Sequence, residues 1–201
     1  MKNVLQACAI GLALLLFCGF AYPLLILGIG QLAFPWQSNG SMIAVNGRVV
    51  GSELIGQSFT DNRFFHGRVS AVNYNTFAAA TAFRNMTVGS GSANYAASNP
   101  ALTKRVDSDV TAFLKQNPTV KRSELPANLF TSSFSGLDPD ITTADAVVQV
   151  DRIAKATGIG KETVEKVISD NTAGRDIGIF GERRVNVLAA NLDIYRILKK
   201  K

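Results

Sequence analysis

His66 is the only histidine in the 201-residue chain, so any Ser-His-Asp triad would have to use it as the base. It stands between Phe65 and Gly67, a setting typical of a structural histidine. A histidine-based metal site would need a second imidazole. The carboxylates offer no paired acid and base, because Asp138 and Asp140 flank a proline in a predicted turn. We therefore predict neither a catalytic residue nor a metal site.

The sequence Gly158-Ile159-Gly160-Lys161 lies between two predicted helices and resembles the hairpin of a helix-hairpin-helix DNA-binding module. In such a hairpin the glycines let backbone amides approach a phosphate. It is not a Walker A loop, because Lys155 stands where the first glycine would be needed. The alternative is a corner between two helices in which Gly158 ends the first helix. We favour the corner, since a domain outside the cell meets little DNA.

Two runs of glycine and serine, residues 89–92 and 132–136, could also hold a phosphate through free backbone amides. Loops of this composition are mostly turns. Taken alone, they are weak indications of an anion site.

The element that must position everything else is an apolar run from Ala7 to Gly30 without a charged residue. At ~1.5 Å rise per residue its 24 positions reach roughly 36 Å, more than the ~30 Å hydrocarbon core of a bilayer. We predict a single membrane helix over residues 7–34, preceded by a short N-terminus over residues 1–6. Pro23 should kink this helix, because proline removes a backbone donor and crowds the preceding turn.

A cleaved signal peptide is the main alternative for this run. The run is longer than a usual signal sequence, only Lys2 and the α-amino group precede it, and no A-x-A-like site follows before Phe34. We therefore expect the segment to remain as an anchor. Because Lys2 precedes the span and no charge follows it until Arg48, the positive-inside rule predicts a cytoplasmic N-terminus and an exported domain over residues 35–201.

Charge and cysteine content describe the exported domain further. Of the formal net charge of +6, only Lys2 lies before the span, so the domain carries +5. Its basic residues are scattered, which is typical of a solvated face, and we predict no nucleic-acid partner. Both cysteines, Cys8 and Cys18, lie in the span, so the domain needs no disulfide and can hold no thiolate-bound metal.

Local patterns predict the first elements of this domain. Asn46-Gly47 between two short β-runs indicates a hairpin with a type I′ turn. Residues 86–99, rich in Gly, Ser, Ala and Asn, predict a long loop. Asn99-Pro100 starts a helix whose apolar stripe ends before Pro118.

The C-terminal half is predicted to be mostly helical. Thr142 and Asp145 resemble a capping box that opens one helix continuing to Gly158. A further helix begins at about Lys161, residues 184–188 form an extended run, and a last helix covers residues 189–199. In that last helix we expect an apolar side made of Leu192, Tyr195 and Leu198. The sum is an α+β domain with more helix than strand and no βαβ alternation.

Several short motifs follow the span in a fixed order. They are Leu54-Ile55-Gly56-Gln57, Phe65-His66-Gly67-Arg68 with Ser70-Ala71, Ser98-Asn99-Pro100, Ser135-Gly136-Leu137-Asp138-Pro139, and Gly181-Glu182 before Arg184-Val185-Asn186-Val187-Leu188 and Asn191. Through this ordered series the sequence resembles, over nearly its whole length, the KdpC family, which is one of the components of the Kdp-type potassium-transporting P-type ATPase.

The resemblance implies a non-catalytic assembly or stabilising subunit of a four-part pump in the bacterial inner membrane. In that pump potassium passes through a channel-like subunit, and a P-type subunit hydrolyses ATP through an aspartyl phosphate. A protein of this family joins these two beside a small fourth subunit, with its domain on the periplasmic side. The chain has no Asp-Lys-Thr-Gly phosphorylation motif and would need no cofactor of its own, because ATP and potassium are handled by the complex.

The resemblance also brings a possible nucleotide contact, for which Ser133, Ser135, Gly136 and Asp138 are the candidate residues. The predicted topology puts them on the opposite side of the membrane from cytoplasmic ATP. The second hypothesis is therefore a membrane-anchored module that binds an anionic ligand, nucleotide or nucleic acid, through residues 158–161 or the Gly-Ser loops.

Overall fold

The structure, a computed structural model, describes residues 2–76 and 88–200. Met1, Lys201 and residues 77–87 lie outside this part, and with them residues 86 and 87 of the predicted long loop. The described chain packs as two units, one ending at Ser52 and one beginning at Glu53. The division at residues 34 and 35 that the sequence predicts stays a prediction.

The first unit begins with a long helix. It consists of α1 (Lys2–Leu16), a π-helical turn (Phe17–Ala21) and α2 (Tyr22–Ala33), and the short α3 (Pro35–Ser38) follows. Within the described residues, Lys2–Ala33 is the one helix long and apolar enough to cross a membrane by length and composition. This confirms the prediction of a single N-terminal span-length helix.

The irregularity predicted at Pro23 takes the form of the π-helical turn just before it. The Tyr22 amide donates to the Phe17 carbonyl, five residues back. Pro23 has no amide hydrogen, and in a regular helix its ring would crowd the carbonyl of Gly19. A wider turn at this point is one of the recognised ways in which a helix accommodates such a conflict.

The first unit ends in the predicted hairpin. Strands β1 (Met42–Val45) and β2 (Arg48–Ser52) pair antiparallel. Asn46 and Gly47 connect them with φ angles of 52° and 75°, the left-handed values that a type I′ turn requires.

The second unit begins its regular structure with α4 (Pro100–Gln116), as predicted. The Asn99 side chain accepts a hydrogen bond from the Ala101 amide at 2.9 Å, which satisfies one of the free donors at the helix start. Residues 88–99 before it contain no helix or strand, so the loop prediction holds there. Val110 of α4 packs against α5 (Ala127–Phe130) in a small apolar cluster.

The helix predicted from Thr142 to Gly158 is wrong in one respect, because it is two helices. The capping box exists: the Thr142 hydroxyl accepts from the Asp145 amide, and the Asp145 carboxylate accepts from the Thr142 amide. However, α6 (Thr143–Val147) ends before α7 (Val150–Thr157) begins. The Gln149 side chain occupies the Asp145 carbonyl at 3.0 Å, and the Gln149 amide turns to the Ala146 carbonyl instead.

The last two helices follow as α8 (Lys161–Asp170) and α9 (Val187–Lys199). Helix α9 starts two residues earlier than predicted, because the Asn186 side chain caps it by accepting from the Ala189 amide. This is also where the predicted extended run over residues 184–188 ends early.

The apolar side predicted for α9 is wrong. Tyr195 is exposed, whereas Ile194 is completely buried. The buried residues of this helix are Val187, Leu188, Ala190, Asn191 and Ile194. The polar Asn191 shares the buried side because it binds a distant backbone segment, as described below.

Three short strands complete the second unit. They are β3 (Asp140–Thr142), β4 (Thr172–Ala173) and β5 (Arg184–Asn186), and they form an antiparallel sheet in the order β3-β5-β4. The main core joins this sheet to α6, α7, α8 and α9 around the fully buried Phe65, Ile153 and Val185. The prediction of an α+β domain with more helix than strand is confirmed.

Candidate functional site

The four residues predicted for a nucleotide contact lie in the loop between α5 and β3. Ser133 is buried, and its carbonyl accepts from the Gly136 amide at 3.3 Å. The Ser135 hydroxyl accepts from the Leu137 amide at 3.0 Å. Two of the amides that might have faced a phosphate are therefore used inside the loop. The nucleotide contact through Ser133, Ser135, Gly136 and Asp138 stays a prediction.

The two Gly-Ser runs, far apart in sequence, lie against each other. The Gly91 amide donates to the Ser135 carbonyl at 2.7 Å, and the Ser90 hydroxyl donates to the same oxygen at 3.2 Å. The Ser70 hydroxyl donates to the Gly136 carbonyl at 2.6 Å. The loop is thus tied to two other segments of irregular backbone.

Close packing at two glycines explains why this junction tolerates no larger residue. Gly136 has a φ of 69°, and a Cβ there would lie 2.7 Å from Val72 Cγ2 and 2.9 Å from the Gly91 carbonyl oxygen. A Cβ on Gly56 would collide with the backbone of Asp138. Both glycines are needed for backbone segments to approach each other.

Asp138 has a charged partner that its sequence neighbourhood does not reveal. The Arg68 guanidinium donates to its carboxylate at 2.6 Å and to the Thr131 carbonyl at 3.2 Å. The Tyr74 hydroxyl donates to the Arg68 carbonyl at 2.6 Å, and burial, helped by the negative charge of Asp138, raises the pKa of Tyr74 to about 12. Asp138 therefore fastens one loop to another and is not free to act as a general base.

Two buried side-chain amides hold the backbone of Phe65 and His66. Asn191 accepts from the Phe65 amide at 2.7 Å and donates to the Phe65 carbonyl at 2.9 Å. Gln149 does the same for His66, at 2.8 Å and 3.1 Å. Each side chain thus acts like the edge of a neighbouring strand. This satisfies four backbone groups that would otherwise be costly to bury.

Arg152 of α7 lies beside this segment and is 6% exposed. Its guanidinium donates to the carbonyls of Asn62 and Phe64 and to the side-chain oxygens of Asn117 and Gln149, at 2.7–3.1 Å. No carboxylate forms an ion pair with it within the described residues. Burial lowers the pKa of Arg152 to about 10, so the side chain remains a cation held by neutral oxygens.

His66 is kept neutral by the same surroundings. Burial, and then the positive charge of Arg152, lower the pKa of His66 to about 4. Its Nε2 lies 3.1 Å from the Asp61 carbonyl and 3.4 Å from Arg152 Nη1. These distances suit an imidazole that carries its proton on Nε2 and donates it to Asp61. His66 is therefore placed as a structural residue.

The Gly158 to Lys161 sequence forms the helix corner that we favour. Gly158 ends α7 with a φ of 69°, and Gly160 precedes α8. Lys161 pairs with Asp151 of α7 at 2.6 Å, and Ile159 between the glycines is buried in the main core. The lysine and the isoleucine thus contribute to joining the two helices.

Sequence reasoning missed three members of this network, namely Asn117, Gln149 and Arg152. Gln149 gave the clearest available signal, because it interrupts the apolar series Val147-Val148-Gln149-Val150. The described residues contain no group of three or more His, Cys, Asp or Glu that could hold a metal ion. What the arrangement does chemically is to fasten loops to helices.

The structure thus defines a class: a protein with one span-length helix and an α+β unit whose buried polar side chains hold its own backbone. A sequence model for the family described as K+-transporting ATPase, c chain, matches residues 4–196. The chain therefore belongs to the KdpC family, and the resemblance seen in its motifs is confirmed.

Curated relatives agree with this assignment. The chain is 50% identical over 199 residues to the potassium-transporting ATPase KdpC subunit of Clostridium kluyveri, covering 98% of this chain and 95% of that protein. It is 50% identical over 205 residues to that of Clostridioides difficile, covering 98% and 99%. It is 49% identical over 186 residues to that of Bacillus cereus, covering 92% and 91%.

Proposed function

We propose that this chain is a non-catalytic subunit that assembles and stabilises an ATP-driven potassium uptake complex. It would join the channel-like potassium-translocating subunit to the P-type subunit that hydrolyses ATP, beside a small fourth subunit. The observation that carries this proposal is the use of polar side chains in the second unit. His66, Gln149, Asn191 and Arg152 all bind backbone groups of the chain itself.

This use of the polar groups supports a scaffold better than an enzyme. A general base needs an acceptor atom within reach of a substrate proton, whereas Nε2 of His66 already faces Asp61 and Arg152. A phosphate cradle needs free amides, whereas those of Gly136 and Leu137 are bonded inside their loop. ATP and potassium would therefore be handled by other subunits.

We further propose a single-pass position in the bacterial inner membrane, with the N-terminus in the cytoplasm and the second unit on the periplasmic side. Lys2 is the support for this orientation, since Arg48 is the next charged residue along the chain. Trp36, directly after the long helix, is of the type that anchors a span at the interface with water.

The test combines a deletion strain with purified proteins. We expect cells without the chain to stop growing when potassium is limiting, and growth to return when the chain is supplied from a plasmid. The purified full chain should hydrolyse no ATP, whereas the complex that contains it should be active. Normal growth of the deletion strain, or ATP turnover by the chain alone, would contradict the proposal.

A further inference from the structure

A tight hairpin over residues 175–181 projects between β4 and β5. The amide and carbonyl of Asp176 pair with those of Phe180 at 2.9 Å and 3.0 Å. The Gly178 amide closes the tip by donating to the Arg175 carbonyl at 3.0 Å. We call residues 175–181 the apolar hairpin, because of the side chains that it carries.

Three large apolar side chains of this hairpin face solvent. Ile177, Ile179 and Phe180 are 88%, 71% and 65% exposed. A single exposed apolar residue needs no explanation, but three within four positions of one tight turn form a patch of the kind that marks interaction sites.

The backbone at the tip adds a second observation. Ile177 has a φ of 55°, a left-handed conformation that β-branched residues rarely adopt and that glycine or asparagine would adopt at lower energy. Such strain persists where it serves a function. Because Ile177 buries almost nothing within this chain, any gain from its side chain must come from contact with another molecule.

The hairpin is also fixed to the sheet. Arg184 of β5 pairs with Asp176 of the hairpin at 3.6 Å and with Asp140 of β3 at 3.3 Å. One arginine thus holds the base of the hairpin against the strand order β3-β5-β4. The apolar side chains are therefore presented in an arrangement that exists before any partner binds, which reduces the entropy lost on binding.

A cleft of about 740 Å³ lies beside the hairpin and supplies charge. Arg175 and Arg183 line it together with one acidic residue, Glu182. Within the described part of the chain neither arginine forms an ion pair. A partner that fills this cleft would gain most from a carboxylate placed between the two arginines.

We propose that the apolar hairpin is a docking element that inserts Ile177, Ile179 and Phe180 into an apolar pocket of another subunit of the ATPase complex. The rim of that pocket carries carboxylate that pairs with Arg175 and Arg183. This inference rests on the proposed function and names the surface that performs it. A shaped protein partner fits a fixed knob beside a concave cleft, whereas a fluid bilayer offers no protrusion to fill the cleft.

The sharpest test is Ile177→Gly in the full chain. Glycine relieves the left-handed strain, so the thermal stability of the chain should stay the same or rise. The side chain that binds is removed, so retention of the other subunits on the tagged chain in detergent should fall about tenfold in apparent affinity. A residue with only a structural role would not show this combination.

Phe180→Ser and Phe134→Ser form a matched pair. Both remove an exposed phenylalanine, 65% and 85% exposed, but only Phe180 belongs to the hairpin. We expect a loss of about tenfold for Phe180→Ser and no loss for Phe134→Ser. Equal losses from both, or none from Phe180→Ser and Ile177→Gly, would overturn the inference while leaving the proposed function in place.

A photocrosslink identifies the occupant directly. Ile177→Cys, in a chain that also carries Cys8→Ala and Cys18→Ala, can be labelled with a photoactivated maleimide before the complex is illuminated in membranes. A covalent product with another subunit supports the inference, and a product with lipid alone overturns it. If the wild-type chain retains no other subunit at all, the proposed function fails, and the inference fails with it.

Discussion

Gln149 shows how one buried side chain can decide the backbone around it. Its amide group binds His66 on one side and the Asp145 carbonyl on the other, and its oxygen also accepts from Arg152 at 2.7 Å. The side chain is completely buried. Every hydrogen-bonding position that it offers to the network is therefore occupied, which is what a stable buried polar group requires.

Removing this group should destabilise the fold strongly. Gln149→Leu keeps the approximate size but leaves amide, carbonyl and guanidinium groups buried without partners, so we expect the free energy of unfolding to fall by about 3 kcal/mol. Gln116→Leu, at an exposed position of α4, is the matched control and should change it by less than about 0.5 kcal/mol. Thermal unfolding of the full chain in detergent measures both. A small effect at position 149 would mean that the network is not needed for stability.

His66 should make stability depend on pH in a defined direction. Its pKa is about 4 in the folded chain and 6.5 in the reference state, so the unfolded chain binds the proton more readily. The contribution of a neutral His66 is complete above pH 6.5 and is lost as the pH falls towards 4. The difference between the two pKa values corresponds to on the order of 3 kcal/mol.

The measurement compares the wild-type chain with His66→Gln, which cannot titrate. Unfolding free energies of both proteins between pH 7 and pH 4 will include the carboxylates, so the gap between the two curves is the quantity of interest. We expect the wild type to lose more stability than the variant as the pH falls. Parallel curves would show that His66 titrates alike in both states.

At the scale of elements, the second unit depends on irregular backbone being held in place. The segments around residues 65–74, 89–91 and 133–138 bind one another through carbonyls, hydroxyls and the Arg68–Asp138 pair. Helices α7 and α9 then hold the same region from the other side through Arg152 and Asn191. The motifs that distinguish the family in sequence are thus largely the parts of these junctions.

Gly136→Ala tests the tightness of this junction. The added methyl group would meet Val72 and the Gly91 carbonyl, at a φ of 69° that alanine disfavours, so we expect the free energy of unfolding to fall by about 2 kcal/mol. Gly91→Ala is the control, because a Cβ there meets nothing within 4 Å. Its effect should stay below about 1 kcal/mol. Similar losses from both variants would show that general loop stiffness, and not close approach, is being measured.

For the whole molecule, the orientation in the membrane determines which partners the second unit can reach. The chain has one candidate span within its described residues, so everything after residue 34 lies on one side. With +5 of the formal charge on that part, it suits partner surfaces that carry acidic groups.

Labelling of single cysteines tests this orientation. On the Cys8→Ala, Cys18→Ala background, a membrane-impermeant maleimide added to intact spheroplasts should modify Ser98→Cys and leave Asn3→Cys unmodified. Both positions are exposed in the structure, so accessibility and not burial decides the result. Labelling of position 3 alone would reverse the topology and bring the Ser133 to Asp138 loop to cytoplasmic ATP.

The sequence by itself determined the features that depend on neighbours along the chain. The apolar run, the Asn46-Gly47 turn and the caps at Asn99 and Thr142 are local, because a turn or a cap is made by residues within a few positions of each other. The ordered motifs identified the family for a similar reason, since their spacing can be read directly.

The tertiary structure alone decided the long-range pairs. Asp138 meets Arg68 across 70 positions, Gln149 meets His66 across 83, and Asn191 meets Phe65 across 126. Which amide faces which backbone group depends on how every intervening element packs, and no local pattern encodes it. For the same reason the helix between Thr142 and Gly158 was predicted to be continuous: its break at Gln149 exists because a distant segment, His66, binds that side chain.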